Sequence, residues 1–245
     1  MASRLALDLN KGLSITLIGM DITPQASLAA PSSAAAESHA SASASASASA
    51  TGPAAPLRLA LVVGSNREGR FAPVVADWFL GRAGAREDFT VDVVDLAEVD
   101  LPTALSGSPR PAVRAELAKV SPRLAAADAF VVLTPEYNHS FPAALKSLID
   151  WHYTEWQAKP VGFLSYGGVS GGLRAVEQLR QVFAEMHAVT VRDTVSFRNA
   201  GEQFDSEGRH RDPAAPEAAV KTMLDQLAWW GSALREAKAR RPYGG

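Results

Sequence analysis

Leu57-Arg-Leu-Ala-Leu-Val-Val63, closed by Gly64 and followed by Ser65-Asn-Arg-Glu-Gly-Arg-Phe-Ala-Pro73, decides how the rest of the chain is read. The first seven residues form a short aliphatic run bounded by glycine, which reads as a strand buried on both faces. The polar loop then leads to Pro73, whose fixed φ and missing donor suit the first turn of a helix. A buried strand that runs through a loop directly into a helix opens a parallel layout, because parallel neighbours need a crossover of a dozen or more residues.

Outward from this stretch the pattern repeats. Phe89–Asp95, Ala129–Leu133, Val161–Ser165 and Val189–Val195 are further short runs rich in β-branched and aliphatic residues. Helical spacing fills the intervals. Pro73–Leu80 follows the first strand, and Ala112–Ala126 places Val113, Leu117, Val120 and Leu124 three and four apart, with Pro122 expected to kink or restart it. Pro142–Trp151 carries Leu145, Leu148 and Ile149, Gly172–His187 carries Leu173, Val176, Leu179, Val182 and Met186, and Ala214–Ala239 carries Val220, Met223, Leu224, Leu227, Trp230 and Leu234. Strands alternating with helices predict an α/β fold, and at this size the flavodoxin-like doubly wound sheet of order 2-1-3-4-5 with helices on both faces. Ligands of such sheets bind beyond the carboxyl ends of the strands, near the switch point between strands 1 and 3.

The chain has 245 residues, but between Ser27 and Pro56 it has 13 Ala, 9 Ser and 3 Pro with a single charge, Glu37. Such a stretch has almost nothing apolar to set against the entropy of ordering it. Residues 1–56 are therefore expected to be a disordered Ala/Ser-rich extension, 57–241 one domain, and 242–245 a tail. Leu13–Met20 makes a poor signal peptide, because Asp8 sits where a basic region belongs and Ser14 and Thr16 break the apolar run. No stretch approaches the roughly 18 apolar residues of a membrane helix, so no membrane partner is expected. With 24 Lys+Arg against 26 Asp+Glu and no basic stripe interleaved with aromatics, no nucleic-acid partner is expected either. Arg235, Lys238, Arg240 and Arg241 read as a solvated helix end. The absence of cysteine excludes disulfides, thiolate metal sites and a Cys nucleophile, so any redox chemistry must come from a bound cofactor.

Three loops remain to carry chemistry. Ser65, Arg67 and Arg70, with backbone amides ahead of a helix, have the charge to cradle a phosphate monoester; the same loop also reads as a polar turn with its arginines in solvent. It is neither a P-loop nor a dinucleotide fingerprint, since Gly64 and Gly69 have the wrong spacing. Thr134-Pro-Glu-Tyr-Asn-His-Ser-Phe-Pro142 is stiffened by proline at both flanks and presents backbone groups and Tyr137 to a flat heteroaromatic ligand. Glu136 with His139 is an alternative acid/base pair, and His139 with His152 lacks a third ligand at metal spacing, so no metal is expected. Ser165-Tyr-Gly-Gly-Val-Ser-Gly-Gly172 has four glycines in six positions and lets a backbone pass close to a ligand. Gly168-Val-Ser-Gly-Gly172 misses the G-x-S-x-G spacing of a hydrolase elbow by one residue.

The Gly64-Ser-x-Arg-x-x-Arg loop, the run Thr134-Pro-Glu-Tyr-Asn-His-Ser-Phe-Pro-Ala-Ala-Leu-Lys-Ser-Leu-Ile-Asp-Trp151, and Tyr166-Gly-Gly-x-Ser-Gly-Gly-Leu-Arg-Ala175 together resemble the NAD(P)H-dependent FMN reductases, a flavodoxin-like family of quinone, chromate and azo-dye reductases. The resemblance covers roughly Leu57 to Arg198. It implies FMN as cofactor and NAD(P)H as co-substrate, with ping-pong hydride transfer to the flavin and on to a quinone, azo, metal-oxyanion or flavin acceptor. By the same resemblance Ser65 and Arg67 bind the FMN phosphate, and Arg70 stands where many members place a small hydroxyl residue, with Phe71 beside it in the cofactor loop. Pro135, Glu136, Tyr137 and Asn138 line the ring, chiefly through backbone, Ser165, Tyr166, Gly167 and Gly168 approach its other side, and His139 shapes the substrate end. No side chain is expected to act as nucleophile or metal ligand. The alternative is a flavodoxin-type electron carrier, which a net charge of −2 suits poorly. A cytoplasmic homodimer or tetramer is expected, with Trp151, Tyr153 and Trp156 either at an interface or packed under the last helix.

Overall fold

The computed structural model describes residues 55–244. The extension expected over 1–56, with its weak leader-like patch, lies outside the described residues apart from Ala55 and Pro56. In chain order the elements are β1 (Leu57–Val63), α1 (Ala72–Ala83), β2 (Phe89–Asp95), α2 (Pro111–Ala126), β3 (Ala129–Pro135), α3 (Ala143–Asp150), β4 (Pro160–Gly167), α4 (Leu173–Glu185), β5 (Val189–Arg198), the single turn α5 (Ala200–Gln203) and α6 (Ala214–Arg240).

The five strands form one sheet of order β2-β1-β3-β4-β5, and every neighbouring pair is parallel. The central strands are aliphatic throughout because both their faces are covered. Leu57, Leu59, Leu61 and Val63 of β1, with Ala129, Val131 and Leu133 of β3, pack against α1 and α6 in one core. Ala60 and Val62, with Phe130 and Val132, meet α2, α3 and α4 in the other. The edge strands β2 and β5 alternate buried with half-exposed or exposed positions, as strands with one open flank do. Arg235 of α6 donates to the carbonyls of Ala55 and Pro56, which fixes where the chain enters β1.

Two local expectations need correction. Pro122 neither ends nor restarts α2, which continues to Ala126. The ring removes one backbone donor, but its helical partner Ala118 is exposed to water, and the Ser121 hydroxyl donates to Leu117 O at 2.8 Å beside it. Trp156 is fully buried against Phe130 and Phe183, so it belongs to this chain's own core, and beneath α4 rather than α6. Trp151 is half-buried and donates its indole N–H to Pro102 O; of the three aromatics only Tyr153 is exposed. Among the described residues no helix is long and apolar enough to cross a membrane.

Candidate functional site

β1 pairs with β2 on one side and β3 on the other, so the loops after β1 and β3 diverge at the switch point, with the loop after β4 beside them. Gly64 N–H donates to Leu133 O at 2.8 Å, which starts the first loop tight against β3. Ser65 is completely buried, and its hydroxyl shares a 2.8 Å hydrogen bond with the Tyr137 hydroxyl, joining the first loop to the third strand's loop. Beyond it the chain rises to the surface. Among the described residues none of the amides of Asn66, Arg67, Glu68 and Gly69 has a backbone acceptor, and Arg67 is exposed and outside every ion pair. Four amides without a backbone acceptor, a hydroxyl and a guanidinium outside every ion pair, ahead of α1, are the donor set that an anion such as phosphate requires.

Arg70 turns toward β2. Its Nη1 and Nη2 grip both carboxylate oxygens of Asp95 at the end of β2, and Nη1 also donates to Ser65 O. The Asp95 hydrogen bond holds the guanidinium pKa above its ordinary value, against the opposing pull of burial. Phe71 turns inward as well, its ring 6.1 Å from that of Tyr166 and 5.7 Å from that of Phe204. Tyr166 is buried beneath the first loop, and burial pushes its hydroxyl up to about 12, so it stays neutral. These three side chains build the floor and wall of the loop.

The second loop is a tight hairpin. Tyr137 N–H donates to Ser140 O at 2.8 Å and Ser140 N–H to Tyr137 O at 3.0 Å. The two residues between them, Asn138 and His139, are both left-handed, with φ of 51° and 67°. Such a turn wants Gly or Asn at these positions; asparagine satisfies it once and His139 is held there by the surroundings. Besides the bond from Tyr137 to Ser65, its side-chain ties run to α4 and the turn just before it. The Glu136 carboxylate accepts from Arg174 N–H at 3.1 Å and from Arg174 Nη1 at 2.9 Å, while Gln178 donates to His139 O at 2.7 Å and accepts from the Ser140 hydroxyl at 2.6 Å. Burial raises the Glu136 pKa, but hydrogen bonds from Ser170 and Arg174 outweigh it and leave the carboxyl below its ordinary value. Glu136 is therefore an ionised clamp and does not pair with His139 as an acid/base couple. Glu136 follows Pro135, the last residue of β3, and precedes the Tyr137–Ser140 turn that contains Asn138. Asn138→Ala is expected to destabilise the fold by about 1 kcal/mol, since alanine tolerates the left-handed region worse, while Asn138→Gly stays near neutral. Urea unfolding of both variants checks this; equal stabilities would refute the strain argument.

In the third loop the four glycines divide. Gly171 O accepts from the hydroxyls of Ser165 and Ser196, both at 2.8 Å, so the loop folds down onto β4 and β5. A Cβ on Gly171 would stand 2.5 Å from Ser196 Oγ, and one on Gly172 would stand 2.7 Å from Ser165 Cβ. These two glycines answer to internal packing, not to a ligand. At Gly168 the nearest atom to an added Cβ is Asn199 Oδ1 at 4.0 Å, so this is where the backbone stays open.

A cavity of about 360 Å³ opens between the loops and is lined by Asn66, Leu96, Leu101, Tyr137, Pro142 and Ser147. A larger cleft of about 650 Å³ lies off β5, between Phe197, His210 and Pro216, and contains none of the residues expected to bind. His152 is buried, with hydrogen bonds to Leu148 O and Ser121 Oγ, and lies apart from the loops. Sequence reasoning missed Asp95, Arg174 and Gln178. Arg174 sits inside the glycine-rich motif and could have been found there; the others carry no local signal.

A parallel sheet of this order, with three loops gathered over its switch point, defines a flavodoxin-like protein. Residues 57–202 match the NADPH-dependent FMN reductase family, and the chain belongs to it. An NAD(P)H-dependent FMN reductase from Schizosaccharomyces pombe is 37% identical over 133 residues, covering 51% of this chain and 64% of that protein, so the match spans just under two thirds of that relative. A probable NADPH:quinone oxidoreductase from Oryza sativa subsp. japonica is 32% identical over 188 residues, covering 71% of this chain and 91% of the rice protein. Among solved structures, the flavoenzyme NAD(P)H:(acceptor) oxidoreductase of Paracoccus denitrificans superposes with a TM-score of 0.59 at 21% identity, over 72% of this chain and 98% of that one. That likeness is one of fold.

Proposed function

We propose that this chain is an FMN-dependent NAD(P)H oxidoreductase that passes electrons to a quinone, azo compound, metal oxyanion or free flavin, and that residues 57–241 are the working unit. The observation that carries the reading is the donor set ahead of α1, in a member of this family: unpartnered amides over Asn66–Gly69, the Ser65 hydroxyl and an unpaired Arg67, next to a stiff hairpin and an open Gly168. These residues fit a phosphate joined to a flat ring. FMN supplies, when bound, the two-electron chemistry that the side chains of a cysteine-free chain lack.

On this reading Ser65, Arg67 and the loop amides hold the phosphate. Peptide groups of Pro135–Asn138 orient one edge of the ring and Gly167–Gly168 lie close to another. Arg70, Phe71 and Tyr166 support the loop from inside, and Ser165 fixes the glycine turn through Gly171 O. His139, exposed at the tip of its turn, borders the opening used by the nucleotide and the acceptor. We assign a ping-pong order, in which oxidised nucleotide leaves before the acceptor enters the same opening. Val169 and Leu173, in and just after the glycine-rich turn, are exposed large apolar residues, which supports pairing of two copies there, with a tetramer as two such pairs. NAD(P)H is an intracellular reductant, so the reading carries a cytoplasmic setting with it.

The test is anaerobic. Protein reconstituted with FMN should lose its oxidised-flavin absorbance on addition of one equivalent of NADPH or NADH, and steady-state lines with a quinone should run parallel. A chain beginning at Pro56 should behave alike, and light scattering should give at least a dimer. Tightly bound flavin that stays oxidised would make the protein an electron carrier instead.

A further inference from the structure

We propose that Arg70 and Asp95 form a strut that holds the loop after β1 in the shape that receives a phosphate, so that Arg70 is a positioning residue and not a phosphate ligand. The inference rests on the FMN reading above and adds to it a residue, Asp95, and a changed role for Arg70.

The geometry is that of a closed ring. Arg70 is the last residue of the polar loop, and its guanidinium reaches back to Ser65 O at the loop's start. The same guanidinium meets Asp95 fork to fork. Asp95 ends β2 and lies in register with Val63, the last residue of β1, so the anchor is on the neighbouring strand of the sheet. The carboxylate is itself held, since Asp95 Oδ1 also accepts from Ala97 N–H at 3.0 Å. Between the two ends the chain is pinned only by Arg70 N–H to Arg67 O at 3.2 Å and passes through the left-handed Gly69. Among the described residues the amides of residues 66–69 have no backbone acceptor of their own.

Charge points the same way. Asp95 neutralises Arg70, and both side chains are largely withdrawn from solvent, 15% and 22% exposed. A bidentate arginine–carboxylate pair fixes direction as well as distance. A phosphate approaching the loop therefore meets Arg67 as the exposed cation and the Arg70–Asp95 pair as a neutral brace. Lysine could not replace it, because an ammonium is a point charge and cannot hold two carboxylate oxygens and a carbonyl in one plane.

The two roles for Arg70 predict opposite signs for one substitution. If Arg70 bound phosphate directly, Asp95→Asn would free its charge and tighten FMN. If it is a strut, Asp95→Asn loosens the loop and weakens FMN. The experiment titrates apoprotein with FMN and with riboflavin, which lacks the phosphate, following flavin fluorescence, for the wild type, Asp95→Asn, Arg70→Lys and the double variant, with thermal unfolding in parallel. The expected result is a loss of about tenfold in FMN affinity in each single variant with riboflavin affinity unchanged, and a double variant no worse than either single one. Arg70→Lys keeps the charge and loses the fork, so its failure to retain FMN separates positioning from simple attraction. FMN bound as tightly as by wild type, or more tightly, in Asp95→Asn overturns the strut, as does an equal loss for FMN and riboflavin. A wild type with no preference for FMN over riboflavin would overturn the phosphate reading itself and the strut with it.

Discussion

Gly172→Ala should unfold some 5–15 °C below the wild type and lose its flavin. Gly172 sits at φ +88°, directly before α4, where a Cβ would meet Ser165 Cβ at 2.7 Å and Tyr166 N at 3.1 Å. Neither neighbour can yield, because both belong to β4 and Ser165 is fully buried. A left-handed alanine costs about 1 kcal/mol and forcing a methyl into a packed interior about 1–3 more, or about 2–4 together. At roughly 2–4 °C per kcal/mol for a domain of this size, the melting temperature falls by the range given. The matched control is Gly168→Ala, where the nearest atom is 4.0 Å away and the melting curve should hardly move. Circular dichroism melts read both, and a Gly172→Ala protein within about 2 °C of the wild type would show that the loop is not packed as described.

Arg67→Ala addresses ligand binding without touching the fold. The side chain is exposed and makes no ion pair among the described residues, so its removal should leave the melting temperature unchanged. A charge-assisted bond is worth about 1.5–3 kcal/mol, which corresponds to FMN binding weaker by roughly 10- to 150-fold. Riboflavin should bind both proteins alike. Unchanged FMN affinity would mean that the phosphate is held elsewhere, whereas equal losses for both flavins would place Arg67 against the ring.

The regular elements were legible because each is long enough to show its period. β1 and β2 have the bounds expected from their runs, and β3, β4 and β5 each extend two or three residues further at the carboxyl end. Those added residues, Thr134, Pro135, Tyr166 and Gly167 among them, look like loop in the sequence and become strand through pairing across the sheet. The four-residue α5 is too short to show a period at all. At the site, the residue types were readable and the directions of the side chains were not. Arg70 finds Asp95 25 positions on, and Glu136 finds Arg174 38 positions on. Two glycines whose number suggested a ligand answer instead to Ser165 and Ser196, a relation visible only once β4 and β5 are side by side. Local propensity reports what a residue is able to do, while the partner that claims it is chosen by topology.

On the proposed reading the flavin meets peptide groups of the hairpin after β3, whose Glu136, His139 O and Ser140 are tied to α4. A surface made of peptide groups is inherited through the angles of the chain and not through the letters of the gene. Substitution around it changes little of what a ligand meets, provided the turn keeps its shape. Natural selection on such a feature acts on a conformation, and its record is to be sought in backbone geometry before it is sought in an alignment.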